Sequence, residues 1–294
     1  MIVERFAPSP TGPLHLGHAY SAWCGWSAAR AAGGRFLLRF EDLDASRVRY
    51  AYYPLIEEDL AWLGLDWDGT PLRQSERVHA YAAALSQLKR LGLVYACTCT
   101  RKDIQAAASA PQEGADPTYG PDGLVYPGTC RAAGHPDSGQ HALRLDMRKT
   151  VAMIEQHGPI NRLTIHEIGQ GPNGETGTIA LSAQSLIEDV GDIVLTRRDG
   201  AIAYHLAVVV DDAHQGVTHV TRGEDLFTAT PIHRLLQAAL GLPTPTYRHH
   251  KLIRDQDGKR LAKRDDARAI SSFREDGLSP EQVWAMIGLN DPRA

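Results

Sequence analysis

The chain has 294 residues, enough for two domains or for one domain with a large insertion. It is 43% hydrophobic and 22% charged, with no run of about 18 apolar residues, which excludes a helical membrane span. Its formal net charge of −4 excludes a globally basic nucleic-acid binder, so any contact with a phosphate backbone has to come from a local basic patch.

The first predicted element is a strand, "IVERFA" at 2–7. Pro8 and Pro10 then hold the backbone extended and Gly12-Pro13 makes a turn. From Gly17 the Ala-rich "HAYSAWCGWSAARAA" predicts a helix that Gly33-Gly34 ends. "RFLLRFED" predicts a second strand, finishing at Glu41 and Asp42. Strand, glycine turn, helix and strand make a βαβ unit, and such folds bind ligands at the C-terminal edge of their strands. His15, His18, Glu41 and Asp42 are all expected on that edge.

"PLIEEDLAWLG" and "SERVHAYAAALSQLKRLG" predict two amphipathic helices, the second capped by Ser75 and stopped by Gly92. From Ile104 to Gln140 the chain is rich in Ala, Pro and Gly and reads as an irregular insertion. It is bracketed by Cys97, Cys99 and Cys130. With only four cysteines and no disulfide-like spacing, these three suggest a metal site, while Cys24 lies in a helical pattern and suggests packing.

Strand signals resume at "HALRLDM". "RLTIHEIGQGPNGETGTIAL" predicts a hairpin turning at Asn173-Gly174, and "GDIVLTRRDGAIAYHLAVVVDDA" a second turning at Asp199-Gly200. The second arm of that hairpin, apolar to Val210, reads as a buried central strand. A helix follows Pro231 and stops at Gly241. The last element, "SPEQVWAMIGL", has Ser279 as N-cap and Pro280 in the first turn.

Three features carry chemistry. His15-Leu16-Gly17-His18 places two imidazoles where unpaired helix N–H groups already favour an anion. Gly17 allows close approach, and phosphate binding is the functional reading against simple capping. "GKRLAKRDD" lies in a stretch from Arg248 to Arg268 with eight Lys/Arg against four Asp, which suits a phosphate-closing loop as well as a solvated one. "GQGPNG" satisfies the dinucleotide pattern G-x-G-x-x-G, but a strand and not a helix follows it, so it reads as a hairpin turn.

In this order, "FAPSPTGPLHLGH", "RFEDLDASR", "GLDWD", "TRGEDL" and "KRLAKR" resemble the glutamyl branch of the class I aminoacyl-tRNA synthetases, over nearly the whole chain. The resemblance implies an α/β Rossmann-type catalytic domain (1–96 and 190–241), an inserted acceptor and zinc subdomain (97–189), and a signature loop with a short C-terminal helical segment (242–294). Lys263 corresponds to the catalytic lysine of the second signature, in which Arg260 replaces the first lysine and Ala262 the serine. The chain ends soon after that signature, where charging enzymes of the branch continue into an anticodon-binding region. It therefore is similar to the truncated paralogues of the branch, which attach glutamate to queuosine in the anticodon of tRNA(Asp).

What this implies is ATP-dependent activation of L-glutamate to glutamyl-adenylate and its transfer to queuosine; charging of a tRNA 3′ end is the alternative. His15, His18 and Lys263 are the implied catalytic residues, with Gly17 joining them on ATP and Mg²⁺. Arg5, Ala7, Ser9, Glu41, Tyr204 and Arg222 are the implied glutamate contacts. Since glutamate offers two carboxylates and an ammonium, its pocket needs guanidinium forks and an acid. For zinc the family pattern implies Cys97, Cys99, Tyr126 and Cys130, with His135 a rival fourth ligand. No secretory leader is visible, and a cytoplasmic monomer is expected.

Overall fold

A computed structural model describes residues 1–108, 118–136, 141–253 and 268–289. Strand β1 (Val3–Phe6), helix α1 (Leu16–Ala31) and strand β2 (Arg35–Phe40) form the expected βαβ unit, with β1 and β2 parallel and Val3 opposite Arg35. All four residues of β1 are buried, as in a strand covered on both faces. Helix α1 lies close because it presents Ala19, Ala22, Cys24, Gly25 and Ala29 to the sheet. At Gly34 a Cβ would sit 2.3 Å from the Ile2 carbonyl oxygen, so only glycine lets the chain turn back this tightly into β2.

Helix α2 (Tyr52–Trp62) leads to the short strand β3 (Leu72–Arg73), which pairs parallel with β2. A 3₁₀ turn over Gln74–Arg77 precedes α3 (Val78–Arg90), so the helix starts later than the Ser75 cap implied. The reason is tertiary. Asp42 accepts the Ser75 N–H and hydroxyl, each at 2.7 Å, and the Tyr53 hydroxyl at 2.7 Å. Asp42 thus holds structure together and, unlike Glu41, does not face the strand-edge cleft.

The insertion begins with β4 (Val94–Cys97) and α4 (Arg101–Ala108), a helix where irregular chain was expected. The hairpin β5 (Tyr119–Gly120) and β6 (Gly123–Leu124) follows, then β7 (Ala142–Leu145), antiparallel to β4. After α5 (Met147–Glu155), β8 (Thr164–Glu167) and β9 (Gly177–Ala180) form the hairpin expected around Asn173-Gly174. The dinucleotide-like glycines sit in its loop. A helical turn α6 (Ala183–Ser185) runs on to Val190, and β10 (Val194–Thr196) joins the other edge of β7.

The largest departure comes next. The turn at Asp199-Gly200 forms, yet its return arm is a single bridge from Ile202 to Thr196, and the expected central strand is the helix α7 (Tyr204–His214). Seven of its residues are buried, among them Leu206, Ala207, Val208, Val209, Asp211 and Asp212. A helix covered on nearly all sides has no apolar stripe, so its run reads like a buried strand.

Strand β11 (His219–Gly223) pairs parallel with β12 (Thr246–His250), and β12 with β8; α8 (Thr230–Leu240) crosses between β11 and β12 and ends at Gly241 with φ of 69°. Strands β8 and β12 lie outside the 1–96 and 190–241 segments drawn from the sequence, and both extend the sheet on the β11 side. The two halves of the sheet meet at β1 and β11. There the Thr218 N–H donates to the Val3 carbonyl at 3.0 Å, and the buried Glu4 carboxylate accepts the Thr221 N–H and hydroxyl at 3.2 and 2.7 Å. From this junction the chain winds outward in both directions, so a crevice opens beyond the strand ends. The C-terminal helices α9 (Ile270–Glu275) and α10 (Pro280–Ala285) pack on α2, where the fully buried Trp284 donates its indole N–H to the Leu63 carbonyl at 3.1 Å. Ser279 and Gln282 form the capping box of α10.

Candidate active site

The crevice at the β1–β11 junction is a cleft of about 460 Å³, and its walls include Arg5, Ala7, Ser9, Glu41, Tyr204 and Arg222, with His18 at one side. All six residues that the resemblance implied for glutamate are therefore brought together from four separate stretches of chain. Arg5 comes from β1, Glu41 from the end of β2, Tyr204 from the first turn of α7 and Arg222 from β11.

Their charges are arranged in an unequal way. Arg5 Nε and Arg39 Nη1 both reach Asp212 Oδ1, at 3.1 and 2.7 Å, and Arg39 Nη2 lies 3.4 Å from Glu41 Oε1. Burial opposes ionisation of Asp212, but Arg39 and Arg5 outweigh it and hold the carboxyl below its usual range. For Glu41 burial wins and pushes the carboxyl up, with Arg39 and Arg5 offsetting it in part. Burial raises the Tyr204 phenol as well.

Arg222, only 4% exposed, donates from Nε to His249 Nε2 at 3.1 Å, from Nη1 to His233 Nδ1 at 3.1 Å, and from Nη2 to the Thr230 hydroxyl at 2.7 Å. None of these partners is a carboxylate, and among the described residues no acid lies within ion-pair distance of Arg222. Behind it, the fully buried pair His249 Nδ1 and Glu167 Oε2 meet at 2.6 Å. Burial lowers the pKa of both His233 and His249, so two neutral rings hold the guanidinium. Arg5, Arg39 and Arg222 thus stand against Asp212, Glu41 and, one imidazole behind Arg222, the Glu167 carboxyl, which, against burial, His249 and backbone N–H groups hold below its usual range. Of the three guanidiniums only Arg222 has no carboxylate in direct contact.

His15 and His18 cap each other. The His18 N–H donates to His15 Nδ1 at 3.4 Å, the His15 N–H donates to His18 Nδ1 at 3.3 Å, and the rings stack with centroids 3.7 Å apart. Because both Nδ1 atoms accept, Nε2 is the proton-bearing nitrogen of each neutral ring. Capping and ligand binding are thus compatible uses of one motif, which the sequence had set against each other. His18 reaches the cleft wall; His15 lies behind it. Gly17 is the second residue of α1. The second signature, with Lys263, Arg260 and Ala262, lies outside the described residues. Its far side is tied to the first signature, since the Ile270 N–H donates to the Leu14 carbonyl at 2.9 Å and Ala269 bridges to His15.

In the insertion, the ligand atoms of Cys97, Cys99 and Cys130 lie within 4.8 Å of one another, a group that can hold a metal ion. The Tyr126 oxygen is 3.4 Å from both Cys97 Sγ and Cys99 Sγ, and it accepts the Cys130 N–H at 2.9 Å. His135 stands further out, 3.4 Å from the Thr98 hydroxyl. Burial opposes the Cys130 thiolate, but hydrogen bonds from Tyr126 and Thr98 bring its pKa down to about 5. Burial pushes the Cys99 thiol the other way, up to about 11, and what suits zinc is the grouping of three sulfurs in a mostly buried nest.

Asp212, His233, His249 and Glu167 were not anticipated. Asp212 had a signal: Asp211-Asp212 end an apolar run, and acids in a buried segment need cationic partners. The histidines had none, because each works only through neighbours distant in sequence.

The class I (E and Q) tRNA synthetase catalytic domain matches residues 1–290. Among curated relatives, the glutamyl-Q tRNA(Asp) synthetase of Rhodobacter capsulatus is 53% identical over 98% of this chain and 100% of its own length. That of Deinococcus radiodurans is 45% identical, over 99% and 89%. A glutamate–tRNA ligase from Elizabethkingia meningosepticum, solved in complex with its amino acid, superimposes with a TM-score of 0.73 at 27% identity. It is covered for 59% of its length by 95% of this chain, so the chain spans about three fifths of that ligase. A methionyl-tRNA synthetase from Mycobacterium tuberculosis, at 12% identity and a TM-score of 0.57 over 97% of this chain and 63% of that one, shares the fold alone. By sequence over its full length and by the architecture around the cleft, the chain belongs to the class I tRNA synthetases of the E and Q type and, within them, to the glutamyl-Q tRNA(Asp) synthetase family.

Proposed function

We propose that the chain is an ATP-dependent ligase that activates L-glutamate as glutamyl-adenylate and transfers it to queuosine in the anticodon of tRNA(Asp). The observation that carries this reading is Arg222, a buried guanidinium held by two imidazoles and a hydroxyl with no carboxylate in direct contact, lining one cleft with Arg5 and Glu41. Glutamate, with two carboxylates and one ammonium, offers a matching group to each of these three side chains. Glu41 receives the ammonium, Arg222 and Arg5 the two carboxylates, and the Ala7–Ser9 backbone and Tyr204 close the pocket around the side chain.

ATP then lies along the N-terminus of α1, with Gly17 giving close approach and His18, supported by His15, donating to phosphate oxygens. Lys263 belongs to the same step. Mg²⁺ arrives with ATP and offsets phosphate charge. An oxygen of the α-carboxylate attacks the α-phosphorus, the bond to the bridging oxygen breaks, and pyrophosphate leaves. The positioned donors act on the charge that develops on the phosphates. In the second step a queuosine hydroxyl attacks the glutamyl carbonyl, loses its proton and displaces AMP. The cysteine nest with Tyr126 holds zinc and braces the insertion. The enzyme works in the cytoplasm as a monomer. Among the described residues no helix is long and apolar enough to cross a membrane.

The likeness to glutamate–tRNA ligases keeps a second reading in play, charging of a tRNA 3′ end. Radiolabelled glutamate, ATP and enzyme are incubated with tRNA(Asp) from cells that make queuosine and from cells that cannot. The expected result is label on the first alone, surviving removal of the 3′ end. Equal labelling of both, or label lost with the 3′ end, establishes the second reading instead.

A further inference from the structure

Arg222 is the start of a chain of hydrogen bonds that leaves the cleft. Its Nη1 meets His233 Nδ1 at 3.1 Å, His233 Nε2 meets His205 Nδ1 at 2.9 Å, and His205 Nε2 meets Asp122 Oδ1 at 2.7 Å. A guanidinium only donates, so His233 Nδ1 must accept. That leaves the proton on His233 Nε2, which donates to His205 Nδ1, and the proton on His205 Nε2, which donates to Asp122. Every link has one allowed direction. The two histidines are buried, whereas Asp122 is half-exposed.

The elements joined are unrelated in sequence. Arg222 is in β11, His233 in α8 and His205 in α7, all packed around the cleft. Asp122 sits in the tip of the β5–β6 hairpin of the insertion. It also lines a second cavity of about 480 Å³, together with Arg101, Tyr119, Tyr126 and Arg144. Nothing in the activation chemistry needs a carboxylate there.

We infer that His233, His205 and Asp122 are positioning residues that act through Arg222: the insertion, by way of Asp122, sets the orientation of the guanidinium that receives a substrate carboxylate. Asp122 accepts from and holds the His205 ring in the tautomer that Arg222 requires, His205 accepts from and holds His233, and His233 then accepts from Nη1 and keeps the guanidinium plane facing the cleft. Without Asp122 the His205 Nε2 proton loses its acceptor, the His205 ring is no longer held in place, and the support that it gives His233 against Arg222 Nη1 is loosened. This inference rests on the glutamate reading of the cleft.

The test uses the full chain. Glutamate binding is followed by calorimetry, and the KM for glutamate and for ATP by pyrophosphate exchange. Asp122→Ala is expected to weaken glutamate about three- to tenfold with kcat and the KM for ATP little changed, the scale of one hydrogen bond. Asp122→Asn, whose amide oxygen still accepts from His205, is expected to bind within about twofold of the parent. Nitrogen-15 imidazole shifts of the unliganded parent should report Nε2–H tautomers for both His205 and His233. The inference is overturned if Asp122→Ala binds glutamate as the parent does, if its loss falls equally on ATP, or if either ring carries its proton on Nδ1. Failure of the parent to bind glutamate would overturn the substrate reading, and the tautomers would still decide whether the relay exists.

Discussion

Arg222 shows how a single residue acquires a role from what surrounds it. A guanidinium buried among two imidazoles and a hydroxyl has no carboxylate in direct contact, so a ligand can supply one. Replacing it by lysine keeps a cation but loses the planar fork that His249, His233 and Thr230 hold. Arg222→Lys is expected to raise the KM for glutamate by about a hundredfold, close to the loss of a buried charge contact, with the KM for ATP unchanged in pyrophosphate exchange. The two signature histidines separate in the same assay. His18→Ala is expected to lower kcat by about 10²- to 10³-fold, as removal of a positioned donor does. His15→Ala and His18→Ala should each also lower thermal stability by about 1 kcal/mol, because each side chain accepts the other's backbone N–H in the capping box of α1.

At the scale of elements, two junctions decide how the site is held. The insertion is anchored where β4 ends, at the nest of Cys97, Cys99, Cys130 and Tyr126. On the proposed zinc site, Cys97→Ser is expected to abolish stoichiometric zinc by metal analysis and to open 118–136 to limited proteolysis, while the catalytic core stays protease-resistant. The α2–α9 junction carries a pH dependence. Asp59 is fully buried, neither of its oxygens has a hydrogen-bond donor, and Arg274 stands 3.6 Å away. Burial pushes its carboxyl up to about 7, with Arg274 a partial offset. The folded state therefore keeps this proton to about pH 7, while the unfolded chain releases it near the ordinary carboxylate value. Between those limits the folded state binds more protons, so this group's contribution to stability falls as pH rises and is constant above about 7. Asp59→Asn removes that slope. The Tm gain of the variant over its parent should grow from pH 4 to pH 7 and then level off; a gain that shrinks with pH would show the sign to be wrong. Element by element the sequence was readable wherever one face is exposed. The α10 capping box, the stop at Gly241 and both hairpin turns stand where local chemistry put them. Helix α7 was misread because burial on nearly all sides erases periodicity. The late start of α3 was invisible because its anchor, Asp42, lies far back in the chain.

For the whole molecule, the decisive feature is a sheet whose halves meet at β1 and β11 and open a crevice beyond their ends. The C-terminal helices close the opposite flank. Trp284 is completely buried against α2, so Trp284→Ala is expected to cost about 3–5 kcal/mol in denaturant unfolding, with the protein melting in a single transition. Docking of α9 and α10 on that core also brings Ala269 and Ile270 beside Leu14 and His15, and so ties the segment after the second signature to the first. This is a long-range consequence of an apolar helix face.

The sequence alone determined the βαβ start, the paired histidines at a helix mouth, the cysteine pattern and, through its ordered motifs, the family. These are local facts: spacing, turn chemistry and residue type are written in consecutive residues. The tertiary structure decided which acids serve the cleft and which brace the fold, that an apolar run is a helix, and that Arg222 is held by histidines from two elements. Those outcomes depend on burial and on hydrogen-bond partners far apart in sequence, and both exist only once the chain has packed.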